Sequence, residues 1–205
     1  MRREIKGSIM GKMEDLKALY DAYVVDERFQ HLRDIGRKFV PGAGPLKPSV
    51  MLIGEAPGKM ENAKGIPFVG RAGVILDNIL TDVRIDSDDV FQTNSIKYQP
   101  APVSQGPGLP PRFPPTEEEI EASREYILEE IEIVEPIVIG LCGRTAIHLV
   151  FPNVENVYSH HGELIKGKFV PLYHPAVIGY NPLRKIIVRE GYTKLKAYLD
   201  AKKAA

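Results

Sequence analysis

Ser49-Val50-Met51-Leu52-Ile53-Gly54-Glu55-Ala56-Pro57-Gly58 joins a short apolar run to a turn built on glycine and proline. An apolar run without polar alternation, closed by such a turn, reads as a strand buried on both faces, as in parallel sheets. The same pattern recurs outward from it. Strands are predicted at about Val90 to Ile96, over Pro136-Ile137-Val138-Ile139-Gly140-Leu141, and over Phe169-Val170-Pro171-Leu172-Tyr173. Helical spacing fills the intervals. Ala72, Ile75, Leu76, Ile79, Leu80 and Val83 mark one helix face, and Ile120, Ile127, Ile131 and Val134 mark another, opened by a Thr116/Glu119 capping box. Gly143 and Thr145 open a third helix with Ile147, Leu149 and Val150, and Tyr192, Leu195 and Leu199 mark a terminal one. Leu16, Leu19, Tyr20 and Tyr23 predict a short amphipathic helix near the start. Strands alternating with helices indicate an α/β sandwich around a mostly parallel sheet.

A chain of 205 residues fits one domain, with an amino-terminal helix and basic lead-in over 1–45 and the core over 46–200. With 43% hydrophobic and 26% charged residues, collagen-like, coiled-coil and disordered classes are excluded. Lys and Arg number 27, as do Asp and Glu, so no global field draws the protein to nucleic acid or anionic membrane. The neutral total conceals a polarised chain. Residues 116 to 135 hold nine acidic residues against one basic, and from residue 161 onward nine basic residues face three acidic ones. Such runs are most simply solvated faces. Cys142 is the only cysteine, which rules out an intramolecular disulfide, a multi-cysteine zinc site and an iron–sulfur cluster of the usual build. The start lacks the apolar core of a signal peptide and no run of about 18 apolar residues occurs, so a soluble, cytoplasmic protein is expected.

In open α/β sheets ligands bind at the carboxyl ends of strands. Three segments fall there: Gly54 to Gly58, Thr93-Asn94 and His174-Pro175. Each has an ordinary reading when taken singly. Gly-Pro turns mostly just turn, an Asn after a strand often satisfies its own backbone, and a His before Pro is often a hydrogen-bonded structural residue. Phe68, within Gly65-Ile66-Pro67-Phe68-Val69-Gly70, is an aromatic ring between two glycines, a residue type found more often in a core than on a binding platform.

Together the segments are more specific. Gly54-Glu55-Ala56-Pro57-Gly58, then Glu61, then Gly65-Ile66-Pro67-Phe68-Val69-Gly70-Arg71-Ala72-Gly73, then Thr93-Asn94-Ser95-Ile96-Lys97, then Tyr173-His174-Pro175-Ala176, over about Pro41 to Leu199, resemble the family 4 uracil-DNA glycosylases. The resemblance implies that family's fold, a three-layer α/β sandwich with a central, mostly parallel four-stranded sheet flanked by helices. It also implies hydrolysis of the N-glycosidic bond of deoxyuridine in DNA. Carried over by motif, Gly54, Glu55, Ala56, Pro57 and Gly58 form the water-activating loop, with Glu55 in its acidic position. Phe68 stacks on the flipped uracil, Asn94 reads the base edge, and Glu61 supports the pocket. His174 faces uracil O2, and Ile178 sits where an apolar wedge enters the base stack. Asn181, Arg184 and Lys185 follow the wedge as candidates to hold DNA phosphates.

The chemistry of these residue types suits those roles. A base within a duplex must be extruded into a pocket that stacks and hydrogen-bonds it. The Asn94 carbonyl can accept from uracil N3–H while its amide donates to O4, and cytosine presents the opposite pattern. Charge that develops on departing uracil is stabilised by an N–H of neutral His174, and Glu55 can orient or deprotonate water. No motif positions a Lys for Schiff-base chemistry, so a monofunctional enzyme is expected. Family 4 enzymes typically carry four cysteines around an iron–sulfur cluster. Here Glu27, Gln30, Tyr98 and Ser123 fall near those positions, so no cluster, no metal and no other cofactor is expected. Packing must then tie down the amino-terminal segment and the proline-rich loop from Gln99 to Pro115, which is expected to be somewhat mobile. Expected partners are uracil-containing DNA and downstream repair proteins, with no membrane, and a monomer is expected. Two alternatives stay open: a catalytically weak or inactive glycosylase-like DNA-binding protein, and a small-molecule nucleobase binder.

Overall fold

The computed structural model describes residues 8–109, 111–153 and 159–204. Four strands, β1 (Val50–Gly54), β2 (Val90–Asn94), β3 (Val138–Cys142) and β4 (Phe169–Leu172), form one sheet in the order β2-β1-β3-β4, with every pair parallel. Alternate strand residues face two different helical layers. Met51, Ile53, Phe91, Ile139 and Leu141 pack with Leu16 and Leu19 of α1 (Ile9–Val25), with Ile120, Ile127, Ile131 and Val134 of α5 (Glu117–Val134), and with α6 (Arg144–Val150). Val50, Leu52, Val90, Val138 and Val170 face the other way. They meet Leu76, Ile79 and Leu80 of α4 (Arg71–Asp82) and Val188, Tyr192, Leu195 and Leu199 of α8 (Lys185–Ala204). The apolar strand runs are therefore covered on both faces, which is why they show no polar alternation. Short helices α2 (Gln30–Asp34), α3 (Lys59–Lys64) and α7 (Ala176–Tyr180) complete the described elements, with 3-10 turns at Glu27–Phe29, Ser87–Asp89 and Pro182–Arg184. None of the described helices is long and apolar enough to cross a membrane.

The capping box at the start of α5 forms as its sequence predicts. Thr116 Oγ1 accepts from the Glu119 N–H at 3.2 Å, and Glu119 returns the bond to the Thr116 N–H at 2.8 Å. Lys12 closes the far end, donating to the Val134 carbonyl at 3.1 Å and pairing with Glu135 at 2.7 Å, where a cation suits the helix dipole. Among its described residues the Gln99 to Pro115 loop has no strand or helix but carries an antiparallel bridge, in which Val103 and Arg112 exchange backbone bonds of 2.7 and 3.0 Å.

The acidic helix departs from a purely solvated face. Glu130 is fully buried and pairs with buried Lys97 at 2.8 Å, while Thr93 Oγ1 donates to it at 3.0 Å and Tyr20 OH also donates to it. This network anchors the end of β2 to α5, one residue before Asn94. Burial pushes the Lys97 ammonium below its usual range, and the Glu130 carboxylate opposes that shift. Removing one partner of a buried pair costs about 3–5 kcal/mol because it strands the other charge. Glu130→Ala is therefore expected to lower the melting temperature by roughly 6–20 °C at about 2–4 °C per kcal/mol, measured by thermal unfolding. A drop below about 2 °C would show that the pair does not support the fold.

Candidate functional site

The parallel register sets Gly54 beside Asn94 and Cys142 beside Leu172, so the loops after all four strands emerge on one edge of the sheet. Pairing continues past the strand ends: the Ser95 N–H donates to the Gly54 carbonyl at 2.9 Å and the Ile96 N–H to the Glu55 carbonyl at 3.1 Å. β1 sits between β2 and β3, and the direction in which successive strands are added to the sheet reverses there, the switch point at which such sheets open a crevice. A cavity of about 330 Å³ lies at this edge. Ala56, Gly58, Met60, Glu61, Phe68, Asn94 and His174 line it. Three segments distant in sequence thus converge on one slot.

Phe68 is held in place by its surroundings. Its backbone takes a positive φ of 53°, an uncommon conformation for a bulky residue that persists only where neighbours enforce it. Gly73, in the first turn of α4, makes room for it, since a Cβ there would collide with the Phe68 carbonyl. Buried Glu61 staples the two flanks of the loop, accepting from the Gly58 N–H at 3.1 Å and the Gly70 N–H at 2.8 Å. These two bonds tie together the ends of the loop that carries Phe68.

Gly54 itself does not line the cavity but lies beneath it. A Cβ there would stand 2.8 Å from Phe68 Cζ and closer still to Asn94 Oδ1. Gly54→Ala should therefore displace both side chains. The expected result is a ten- to hundredfold loss of whatever reaction the slot carries, against an overpacking cost of only about 1–3 kcal/mol in stability. Activity assayed well below the melting temperature separates the two effects, and near-normal turnover would show that the slot tolerates the methyl group.

His174 stands two residues past the end of β4, and its Nδ1 accepts from the Ala176 N–H at 3.3 Å. In a neutral imidazole that bond leaves the proton on Nε2. Burial holds the His174 pKa down to about 4, so the ring is neutral at pH 7. The Phe68 and His174 rings lie 6.2 Å apart at 20° to each other. A base sandwiched between them would need about 7 Å, two stacking gaps of about 3.5 Å. His174 is thus placed to meet the edge of a base that lies on Phe68.

Glu55 faces a second cleft of about 740 Å³ on the other side of His174, shared with Arg112, Phe113, Arg144 and Tyr180. Burial raises its carboxyl pKa, while the 3.1 Å hydrogen bond donated by Thr145 Oγ1 and the charge of Arg112 draw it back. His174, Ala56, Ala176 and Tyr180 border both spaces, so the slot adjoins the cleft that holds Glu55. Ala56 and Gly58 line the slot as the sequence suggests, whereas Pro57 is not among its lining residues.

The residues proposed for DNA contact divide. Arg184 and Lys185 are exposed, with the Arg184 guanidinium 5.8 Å from the centre of the Tyr173 ring. Asn181 is exposed but its side chain caps the following turn, accepting from the Leu183 N–H at 3.1 Å. Ile178 is half-buried against the cluster formed by α4 and α8. Sequence reasoning missed Thr145 as the partner of Glu55. It also assigned Ala72 and Ile75 only to a packing face, although they line the slot together with Arg71 and Tyr180.

The residues that fall near the cluster-cysteine positions of the resembled family do not fit an iron–sulfur group. Gln30 bonds to Asp34 and Arg33, and Glu27 is exposed. Tyr98 and Ser123 are buried in an aromatic fill. Tyr23 stacks on Phe29 at 4.3 Å and meets Tyr126 at 4.8 Å, and its hydroxyl accepts from the Lys97 N–H at 3.1 Å and lies 2.6 Å from Ser123 Oγ. Rings and hydroxyls thus tie the amino-terminal helix to the body around Tyr98 and Ser123. Cys142 lies elsewhere, buried 3.3 Å from the Tyr192 hydroxyl, with burial pushing its thiol up to about 12. No group of three or more potential metal ligands occurs among the described residues.

Comparison with known proteins agrees with this geometry. The sequence model of the uracil DNA glycosylase superfamily matches residues 41–200. The chain is 34% identical over 176 residues to a type-4 uracil-DNA glycosylase of Saccharolobus solfataricus, covering 80% of this chain and 77% of that protein. It is 34% identical over 155 residues to that of Archaeoglobus fulgidus, covering 70% and 73%. With that of Thermotoga maritima it shares 32% identity over 168 residues, covering 78% and 82%. With the matched region spanning the whole sheet and every motif around the slot, the chain belongs to the uracil DNA glycosylase superfamily.

Proposed function

We propose that this protein hydrolyses the N-glycosidic bond of deoxyuridine in DNA, releasing uracil and leaving an abasic site for downstream repair proteins. The observation that carries the reading is the convergence of Phe68, Asn94 and His174 on one cavity at the strand ends. Uracil turned out of the stack lies on Phe68, with Asn94 across its N3–H and O4 edge. The C1′–N1 bond breaks with its electron pair passing to uracil, where charge gathers chiefly on O2 and O4. The His174 Nε2–H donates to O2, a preorganised donor in a water-poor site. Water attacks C1′ from the side of Glu55, which stabilises the cationic sugar and takes the proton.

The test is incubation of the purified chain with uracil-containing oligonucleotides, single- and double-stranded, followed by alkaline cleavage of abasic sites. Cleavage that depends on Asn94 and His174 supports the reading, and binding of uracil-DNA without base release would favour a glycosylase-derived DNA-binding protein. The reading includes no cofactor. The aromatic fill around Tyr23 and the absence of thiols at the corresponding positions support a cluster-free enzyme, and elemental analysis of active protein with stoichiometric iron would overturn that part.

A further inference from the structure

We infer that Tyr180, and not Ile178, is the side chain that enters the DNA stack when a base is turned out, an assignment that rests on the proposed reaction. Both lie on α7, which packs against α4. At 3.6 residues per turn, residues two apart point about 200° apart around a helix. With Ile178 half-buried against the α4 and α8 cluster, Tyr180 is directed away from it, and it is 89% exposed. It stands where the slot and the Glu55 cleft meet, bordering both. A probe filling the place of an extruded base must stand at that rim.

The surroundings suit a nucleic-acid duplex. Arg71 lies on the slot side of Tyr180, Arg112 and Arg144 on the cleft side, and Arg184 and Lys185 follow it in the chain. Leu183 and Ile186, just beyond, are 88% and 81% exposed. Exposed apolar groups of this size rimmed by cations match surfaces that insert a wedge into bases while holding phosphates. An aromatic ring is well suited to this, because stacking on a base is worth about five- to a hundredfold in affinity and tolerates any sequence.

Single-stranded DNA has no stack to refill, so the two substrates separate the roles. Tyr180→Ala is expected to lower kcat/KM on a uracil duplex at least about tenfold more than on the same single strand. Tyr180→Trp should restore most of the difference, and Ile178→Ala should lower both substrates alike. A duplex carrying 2-aminopurine beside the uracil gives a second readout, since unstacking raises its fluorescence on binding, and Tyr180→Ala should remove most of that rise. An unchanged duplex-to-single-strand ratio in Tyr180→Ala, or a split confined to Ile178→Ala, would overturn the assignment. Should the wild-type chain release no uracil from either substrate, the reaction itself fails. The fluorescence measurement, which needs binding alone, then still decides the role of Tyr180.

Discussion

Asn94→Ala should fold normally yet release uracil from single-stranded DNA roughly a thousandfold more slowly than the wild-type chain. Asn94 closes β2, is 5% exposed, and has its side-chain oxygen directly above Gly54 and its surface open to the slot beside Phe68. A uracil placed on Phe68 would lose water from both N3–H and O4, and in the proposed reaction this amide restores the two bonds. Each buried polar group left unpaired costs about 1–3 kcal/mol, so two give about thirtyfold to ten-thousandfold. Little stability is at stake, because the backbone of β2 remains paired with β1 and the buried Lys97 and Glu130 pair still anchors its end. Single-turnover uracil release at saturating enzyme checks the size of the loss, and thermal unfolding checks the fold. A variant within threefold of wild type would remove Asn94 from base recognition. The same pairing argument predicts no release of cytosine by the wild-type chain, whose reader would meet a donor with a donor and an acceptor with an acceptor.

The sheet was legible because its strands are covered on both faces, so β1, β3 and β4 are apolar runs without polar alternation, and β1 and β2 end in Gly54 and Asn94. The placing of Asn94 and His174 at one slot was legible for a related reason: parallel strands deliver their carboxyl ends to one edge, whatever the intervening sequence. What was not legible depends on which way a side chain turns. In the acidic helix α5, Glu130 looks like its neighbours in sequence, yet it is buried, where Lys97 pairs with it. Ala72 and Ile75 fit the apolar stripe of α4, but the stripe is wider than the core it covers, and its first turn faces the slot instead. Thr145 reads as a helix-opening residue, and only the proximity of β1 to β3 brings its hydroxyl to Glu55. The short helix α7 places Ile178 inward and Tyr180 outward, a choice set by contact with α4 that no local spacing of so few residues can reveal.

His174→Ala should lower kcat about a hundred- to a thousandfold with little change in KM, the usual loss when one donor to a developing oxyanion is removed. The Ala176 N–H holds the acceptor Nδ1, which commits the single proton to Nε2 and the slot. Burial keeps the ring neutral down to about pH 4, so no step in the wild-type rate is expected near the ordinary histidine value of 6.5. The acid side of the pH profile belongs to Glu55. Its folded pKa is raised, so as pH falls the carboxylate needed beside the sugar is lost first, at a pH above the ordinary 4.5 and before His174 gains a charge. Below that point log kcat should fall with a slope of one. Glu55→Gln should abolish the limb while lowering the plateau, whereas His174→Ala should lower the plateau and leave the limb where it was. A limb centred near 6.5 that survives in Glu55→Gln and disappears in His174→Ala would mean that the imidazole works as a cation, contrary to the tautomer that the Ala176 hydrogen bond imposes.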